Sequence, residues 1–115
     1  MLPQPGNERS AAALRLVAAA DAYAQNLELL VAGGYDPELY ALLSRQFQQV
    51  LVCAHALPEV SLAWIAVLVS RAELTQCLWR LSRSSGPAPE LAERYATHKA
   101  ALAKMKKSAE NSAGA

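Results

Sequence analysis

The stretch AGGYDPE, residues 32–38, holds within one short segment the signals that end one α-helix and begin another. The two glycines predict a helix end, because glycine adopts at little cost the left-handed conformation that follows a last turn. Asp36 is a good N-cap, Pro37 fits the first helical position, and Glu38 complements the positive end of the helix dipole. A connection this short predicts that the two helices pack side by side and run antiparallel.

The same kind of break recurs along the chain and divides it into four segments. Gly and Pro are confined to positions 3, 5, 6, 33, 34, 37, 58, 86, 87, 89 and 114. Because helix interiors exclude proline and disfavour glycine, the uninterrupted segments predict helices over residues 10–32, 37–56, 59–82 and 89–108. The predicted fold is all-α, an up-down four-helix bundle formed by a single domain over residues 1–115, with frayed ends at about 1–7 and 109–115.

Each segment carries an apolar stripe at helical spacing, which indicates the face turned toward a common core. The composition favours close helix packing, since 24 of the 115 residues are alanine and only one is phenylalanine. The fourth segment is the least apolar, so the alternative fold is a three-helix core with a loosely docked fourth helix. The stripes comprise Leu16, Ala20, Tyr23, Leu27 and Leu30; Leu39, Leu43, Phe47, Val50, Ala54 and Leu57; Val60, Trp64, Val67, Leu74, Leu78 and Leu81; and Leu91, Tyr95, His98, Leu102 and Met105.

The third segment has more apolar surface than one core needs. Opposite its stripe, the first half carries a second apolar patch made of Leu62, Ile65, Ala66 and Val69. A helix that is apolar all round has to be covered on every side, which a small bundle rarely achieves alone. The patch therefore predicts an interface, either with a second copy of the chain in a homodimer or with another protein. Coverage by the first or fourth helix within one subunit is the alternative.

Arg71 lies in the middle of the third apolar stripe. A buried guanidinium needs either a partner or a route to solvent. In an antiparallel bundle the first helix places Asp21 and Glu28 at a similar height, so the first prediction is a buried ion pair between Arg71 and one of them. Snorkelling of Arg71 to the bundle edge and a ligand-binding role are the alternatives.

Charge is unevenly distributed, although the formal net charge is only +1. Residues 1–79 hold four Lys/Arg and seven Asp/Glu, whereas residues 80–115 hold seven Lys/Arg and three Asp/Glu. This basic C-terminal part predicts contact with an anion, and it supports an alternative function, that of a regulatory protein that contacts nucleic acid. No interleaved aromatics, zinc-finger pattern or helix-turn-helix spacing accompanies it. The candidate anion-contacting residues are Arg80, Arg83, Arg94, Lys99, Lys104, Lys106 and Lys107.

The four soft metal ligands of the chain, Cys53, His55, Cys77 and His98, do not have the spacing of a metal site. There is no Cys-x-x-Cys, and no His lies three or four residues from a Cys or another His. We therefore expect two free, buried thiols and neither a metal nor another cofactor. Glycine-rich phosphate loops and nucleophile motifs are also absent from the sequence, so the chain is not expected to be an enzyme.

Two apolar stretches of the sequence bear on the cellular location of the protein. The longest uncharged apolar run, residues 60–69, is shorter than the roughly 20 residues that span a bilayer, so no membrane association is expected. Residues 11–24 are apolar, but Arg15 and Asp21 interrupt them and argue against a signal peptide. The sequence thus predicts a cytoplasmic, small helical interaction or scaffold protein, which acts through self-association or through contacts with another protein.

Overall fold

The helices of the structure, a computed structural model, begin and end close to the Gly and Pro positions. Helix α1 spans Pro5–Gly33, α2 Pro37–His55, α3 Ser61–Arg83 and α4 Pro89–Gly114, and a 3-10 turn, Pro58–Val60, leads into α3. The structure describes the backbone of residues 5–33, 36–83 and 89–114 and the side chains of residues 10–33, 36–80 and 90–111. The described residues form no β-strand, so the all-α prediction is confirmed.

Capping interactions define the two described breaks. The Asp36 carboxylate accepts hydrogen bonds from the backbone N–H groups of Glu38 and Leu39, at 3.0 and 3.3 Å, as expected of an N-cap. At the second break, the Ser61 hydroxyl donates to the Pro58 carbonyl over 2.7 Å. Helix α3 therefore begins at residue 61 instead of residue 59, because the 3-10 turn takes up the start of the predicted segment.

The four helices pack as a bundle, in agreement with the predicted topology. Helix α1 packs closely against α2 and α4, and α3 packs closely against α4. Helices α2 and α3 meet through the large side chains of Phe47, Trp64 and Arg71, and their backbones approach each other less closely. The bundle measures 60 × 24 × 17 Å. The space between α2 and α3 is therefore filled by side chains and not by close backbone contact.

The predicted stripes form the core of the bundle. Leu16, Val50, Val67 and Met105, one from each helix, are fully buried. Alanines contribute to the core of every described helix except α3, which agrees with the close packing expected from the composition. Leu39, Leu91 and Tyr95 are only partly buried, and Leu81 lies outside the described side chains. The buried alanines are Ala12, Ala13, Ala20, Ala54, Ala101 and Ala109.

Helix α4 is fully part of the bundle and longer than predicted. It packs against both α1 and α3 and buries His98, Leu102 and Met105, so the alternative of a loosely docked fourth helix does not describe the fold. Instead of fraying from residue 109, the helix continues to Gly114. The reason is that no Gly or Pro lies between Pro89 and Gly114, and Ala109 is fully buried in the core.

Residues Pro58–Arg80 have the length and apolar composition of a membrane-spanning helix. The expectation of no membrane association considered only the uncharged apolar run at residues 60–69. A longer stretch within Pro58–Arg80 is also apolar enough to cross a bilayer, and 33% of it is buried inside the bundle. Core helices of water-soluble proteins pass the same test, so composition alone does not assign this helix to a membrane.

Candidate functional site

One ring from each helix meets the others inside the bundle. The ring centroids of Tyr23 on α1 and Phe47 on α2 lie 5.3 Å apart. Phe47 also stacks on Trp64 of α3 at 5.3 Å, with an interplanar angle of 23°. The His98 ring of α4 meets Tyr23 edge-on at 5.7 Å. These separations are those at which aromatic pairs attract each other, so the cluster joins all four helices.

A buried chain of hydrogen bonds runs through this cluster from α1 to α3. The Tyr23 hydroxyl lies 2.9 Å from Nε2 of His98, and Nδ1 of His98 lies 2.8 Å from Oγ of Ser70. Ser70 donates its hydroxyl proton to the Val67 carbonyl over 3.1 Å. Because that proton is already used, His98 has to donate from Nδ1 to Ser70, and its unprotonated Nε2 has to accept from Tyr23. The contacts thus define a neutral imidazole in one tautomer.

Burial keeps the two titratable groups of the hydrogen-bond chain, Tyr23 and His98, neutral. His98 is 0% exposed and Tyr23 is 3% exposed. Burial lowers the pKa of His98 to about 4, and the positive charge of Arg71 contributes in the same direction. Burial raises the pKa of Tyr23 to about 12, although the charge and the hydrogen-bonding N–H groups of Arg71 act against this rise. Arg71 is therefore the charged residue beside the neutral side chains of Tyr23 and His98.

Ser70 and His98 lie as close as a nucleophile and its general base, but the hydrogen bond has the opposite direction, because His98 donates to Ser70. Both side chains are also buried, and Ser70 is only 4% exposed. A nucleophile has to reach its substrate, which this position does not allow in the described conformation. The hydrogen-bond chain instead satisfies the polar groups of three helices inside an apolar core.

The structure gives Arg71 a different partner from the predicted ion pair. Its guanidinium carbon lies 4.2 Å from the centroid of the Phe47 ring, a cation–π contact. Within the described part of the chain, the ion pairs join other residues, and neither Asp21 nor Glu28 pairs with Arg71. The prediction considered only how far along the bundle axis each residue lies. It did not consider the direction of the side chains: Arg71 turns toward α2, whereas Asp21 and Glu28 turn toward α4.

Asp21 and Glu28 lie together on the other side of α1. Asp21 forms an ion pair with Lys106 of α4, with Nζ and Oδ1 2.5 Å apart. Glu28 lies near Tyr95, and its negative charge adds to the burial that raises the pKa of that hydroxyl. Both carboxylates line a shallow cleft of about 160 Å³ between α1 and α4. The two carboxylates therefore belong to the contact between α1 and α4 and do not neutralise the charge of Arg71.

The predicted interface patch is exposed on the outer face of α3. Leu62 is 85% exposed, Ile65 is 55% exposed and Val69 is 54% exposed, and Ala66 is exposed as well. Coverage of these residues by α1 or α4 within one subunit, which was the alternative, is therefore not what the structure contains. The patch is available to a partner.

The exposed apolar surface continues beyond the predicted patch to the second half of α3. Ala72 and Gln76 are exposed, and Trp79 is 52% exposed. Together with the larger members of the patch they are spaced alternately by three and four residues, the repeat that places a seam along one side of a helix. We call this row the outer seam of α3: Leu62, Ile65, Val69, Ala72, Gln76 and Trp79.

The prediction ended this surface at Val69 because the same side of the helix then carries polar residues, which are Glu73, Gln76, Arg80 and Arg83. On a helical wheel drawn with 3.6 residues per turn, positions that repeat every 3.5 residues drift by about 20° per heptad. Trp79 is therefore plotted away from Leu62, although both belong to the same row. Counting alternate spacings of three and four from Leu62 would have found the whole outer seam.

The basic residues are mostly engaged within the chain. Arg94 pairs with Glu73 at 2.8 Å and Lys106 pairs with Asp21, while Lys99 lies 5.8 Å from the Tyr95 ring centroid. Four further members complete the predicted anion-contacting set. Arg80 pairs with Glu90 at 3.5 Å, Lys104 and Lys107 line a shallow groove with Leu62 and Ala66, and the side chain of Arg83 lies outside the described residues.

The predicted soft ligands remain separate. Cys53 and Cys77 are buried free thiols, His55 is exposed at the end of α2, and His98 is used in the hydrogen-bond chain. No group of three or more His, Cys, Asp or Glu side chains that could hold a metal ion occurs among the residues with described positions.

Comparison with known proteins adds no relative to this description. The chain matches no family model, no curated protein and no solved structure. The class that the structure itself defines is that of a helical bundle with an exposed apolar seam on one helix.

Proposed function

We propose that this protein is a helical interaction protein that forms a homodimer by packing the outer seams of two copies of α3 against each other. One observation carries the proposal: the seam is exposed along 18 residues of a helix whose opposite face is already buried in the bundle core. The seam is apolar except for Gln76, and a row with alternate spacings of three and four residues is the surface that packs knobs into holes of another helix.

The free energy available from covering the seam is large. Leaving an aliphatic side chain in water forgoes roughly 1.5–3 kcal/mol relative to full burial. Leu62, Ile65 and Val69 are each more than half exposed, and Trp79 adds the side chain with the largest apolar area. Even after the entropic cost of association, four such side chains from each subunit supply the apolar centre that stable interfaces contain.

A second copy is the partner that the surface favours. The seam contains no charged residue, so two copies can approach without repulsion between like charges along the contact. Of the other large exposed apolar residues described, Leu68 lies on α3 next to the seam residue Val69. The rest lie on α1 and α2 and form no comparable row: Leu14, Leu29 and Val52. A second α3 is therefore the complementary apolar helix that is always present, and a two-fold arrangement uses the same surface from both chains.

Disulfide trapping tests the contact directly. Ala72 lies near the middle of the outer seam, so two Ala72→Cys chains should form a symmetric disulfide under mild oxidation. We expect most of the protein to run as a covalent dimer on a non-reducing gel. The native thiols of Cys53 and Cys77 are buried and should not contribute.

Ala41→Cys is the matched control, since Ala41 is exposed on α2 away from the seam. It should remain monomeric on the gel at the same protein concentration. Equal cross-linking of both variants would indicate random collisions and would reject the proposed contact. Leu62→Cys tests whether the two α3 helices run parallel or antiparallel, because the two introduced sulfur atoms can meet only in the parallel arrangement.

The nucleic-acid alternative has less support from the described contacts. Arg94, Lys106 and Arg80 form ion pairs within the chain, which reduces the positive potential offered to phosphates. A membrane surface is the other partner that an apolar helix face could meet. Flotation with vesicles, measured for the wild type and the Val69→Glu variant, separates lipid binding from self-association.

A further inference from the structure

The outer seam of α3 contains one polar side chain that the bundle itself does not use, Gln76. We propose that the two α3 helices of the dimer run parallel, so that the Gln76 amides of the two subunits hydrogen-bond to each other across the contact. This inference rests on the proposed homodimer. It adds the relative direction of the two chains and the residue that sets this direction.

The spacing of the seam assigns a heptad position to each of its residues. In a heptad abcdefg, position d follows a by three residues, and the next a follows d by four. The seam starts at Leu62 with a spacing of three and then alternates, so Leu62 occupies an a position. The a positions are therefore Leu62, Val69 and Gln76, and the d positions are Ile65, Ala72 and Trp79. Gln76 is thus a polar residue at a single a position of an otherwise apolar row.

The amide of Gln76 needs a partner once a contact covers it. Gln76 is exposed, and its side chain forms no hydrogen bond in the described part of the chain. A primary amide has two N–H donors and one acceptor oxygen, which water serves in the free subunit. An amide that loses this water without gaining a protein partner weakens the contact that buries it. The direction of the second helix decides which of these outcomes applies.

A parallel pair satisfies the amide and an antiparallel pair does not. In a parallel pair every seam residue lies opposite the same residue of the second copy, so each Gln76 can donate an N–H to the carbonyl oxygen of the other. An antiparallel pair that covers the whole seam reverses the order of one helix. Gln76 then lies opposite Ile65 of the partner subunit, which offers no hydrogen-bonding group. A polar residue at one a position specifies the pairing of coiled coils for the same reason.

Charges beside the seam leave this choice to Gln76. In coiled coils, charged residues at the flanking e and g positions often set partner and orientation. The charged e residues here are Glu73 and Arg80, and each already pairs with a residue of α4 in its own subunit, at 2.8 and 3.5 Å. The g residues within the seam, Leu68 and Thr75, carry no charge. The flanking positions therefore favour neither direction.

Disulfide exchange between two different chains measures the direction. Leu62→Cys protein is mixed with Trp79→Cys protein that carries an added C-terminal tag, and the mixture is equilibrated in a glutathione buffer. The tag gives the three disulfide products different masses on a non-reducing gel. We expect disulfides between like positions to exceed those between position 62 and position 79 by at least roughly tenfold, the effect of leaving the two amides unpaired.

Substitutions of Gln76, made in both chains, test its role. Gln76→Leu removes the amide and should shift the products toward the disulfide between positions 62 and 79, whereas Gln76→Asn keeps an amide and should preserve like pairing. Gln48→Leu, the same change at an exposed position of α2, is the matched control and should have no effect. Because all of the substituted side chains are exposed, the variants should remain folded.

The outcomes separate this inference from the homodimer itself. Products mainly between positions 62 and 79 in the presence of Gln76 would overturn the parallel direction and leave the homodimer in place. Like pairing that is equally strong in the Gln76→Leu background would overturn the role of the amide. Cross-linking no greater than that of the Ala41→Cys control would reject the homodimer and the parallel pairing with it.

Discussion

Lowering the pH from 7 to 4 should reduce the free energy of unfolding by about 3 kcal/mol through His98 alone. Burial lowers the pKa of His98 in the folded chain to about 4, whereas an unfolded histidine titrates near 6.5. Between these values the unfolded chain binds more protons than the folded chain, so stability falls as the pH falls through this window. The difference of about 2.5 pKa units, at 1.36 kcal/mol for each unit, sets the size of the loss.

Urea titrations at fixed protein concentration measure this effect. His98→Gln should be less stable than the wild type at pH 7, because it disturbs the partners of Tyr23 and Ser70, but its stability should depend less on pH between 6.5 and 4. His55→Gln is the matched control, since His55 is exposed, and its pH dependence should follow the wild type. If the His98 and His55 variants have the same pH profile, the neutral buried imidazole is not the cause.

Replacing Val69 with glutamate should convert the proposed dimer into folded monomers. Val69 lies near the middle of the outer seam, so a two-fold contact would bury two unpaired carboxylates. An unpaired buried charge costs several kcal/mol, and we expect the dimer Kd to rise by at least roughly 100-fold. Because Val69 is 54% exposed in the single chain, the helix content measured by circular dichroism should not change.

Val52→Glu provides the comparison for this variant. Val52 is 60% exposed on α2 and lies outside the seam, so the same substitution should leave the molecular mass of the protein unchanged. A Val69→Glu protein that unfolds would show that this face supports the bundle itself. Dissociation by both variants would show that added charge, and not the seam, controls association.

The fold could be predicted because each of its determinants is local. The capping residues at 36–38 and the four stripes are readable from spacing, and the structure has a helix at each predicted segment. Helix α1 differs at its start, because it begins at Pro5 and not at residue 10. The end of α4 was misplaced because helix fraying depends on packing. Ala109 is a weak apolar signal in sequence, yet it is fully buried at the contact of α4 with the core.

The buried contacts of His98 and Arg71 could be predicted only in part, since side-chain partners depend on the rotation of each helix. His98 was correctly placed on the buried stripe, but its partners Tyr23 and Ser70 are 75 and 28 residues away. Arg71 was recognised as unusual, but its partner is an aromatic ring and not a carboxylate. Spacing along one helix carries no information about which neighbouring helix a long side chain turns toward.

The mass of the wild-type protein in solution tests the central claim most directly. Sedimentation equilibrium at micromolar concentration should give twice the chain mass of 12.3 kDa, with a shift toward one chain mass on dilution. The Val69→Glu variant should give one chain mass throughout the same range. A wild-type mass of a single chain at micromolar concentration would contradict self-association through the outer seam of α3.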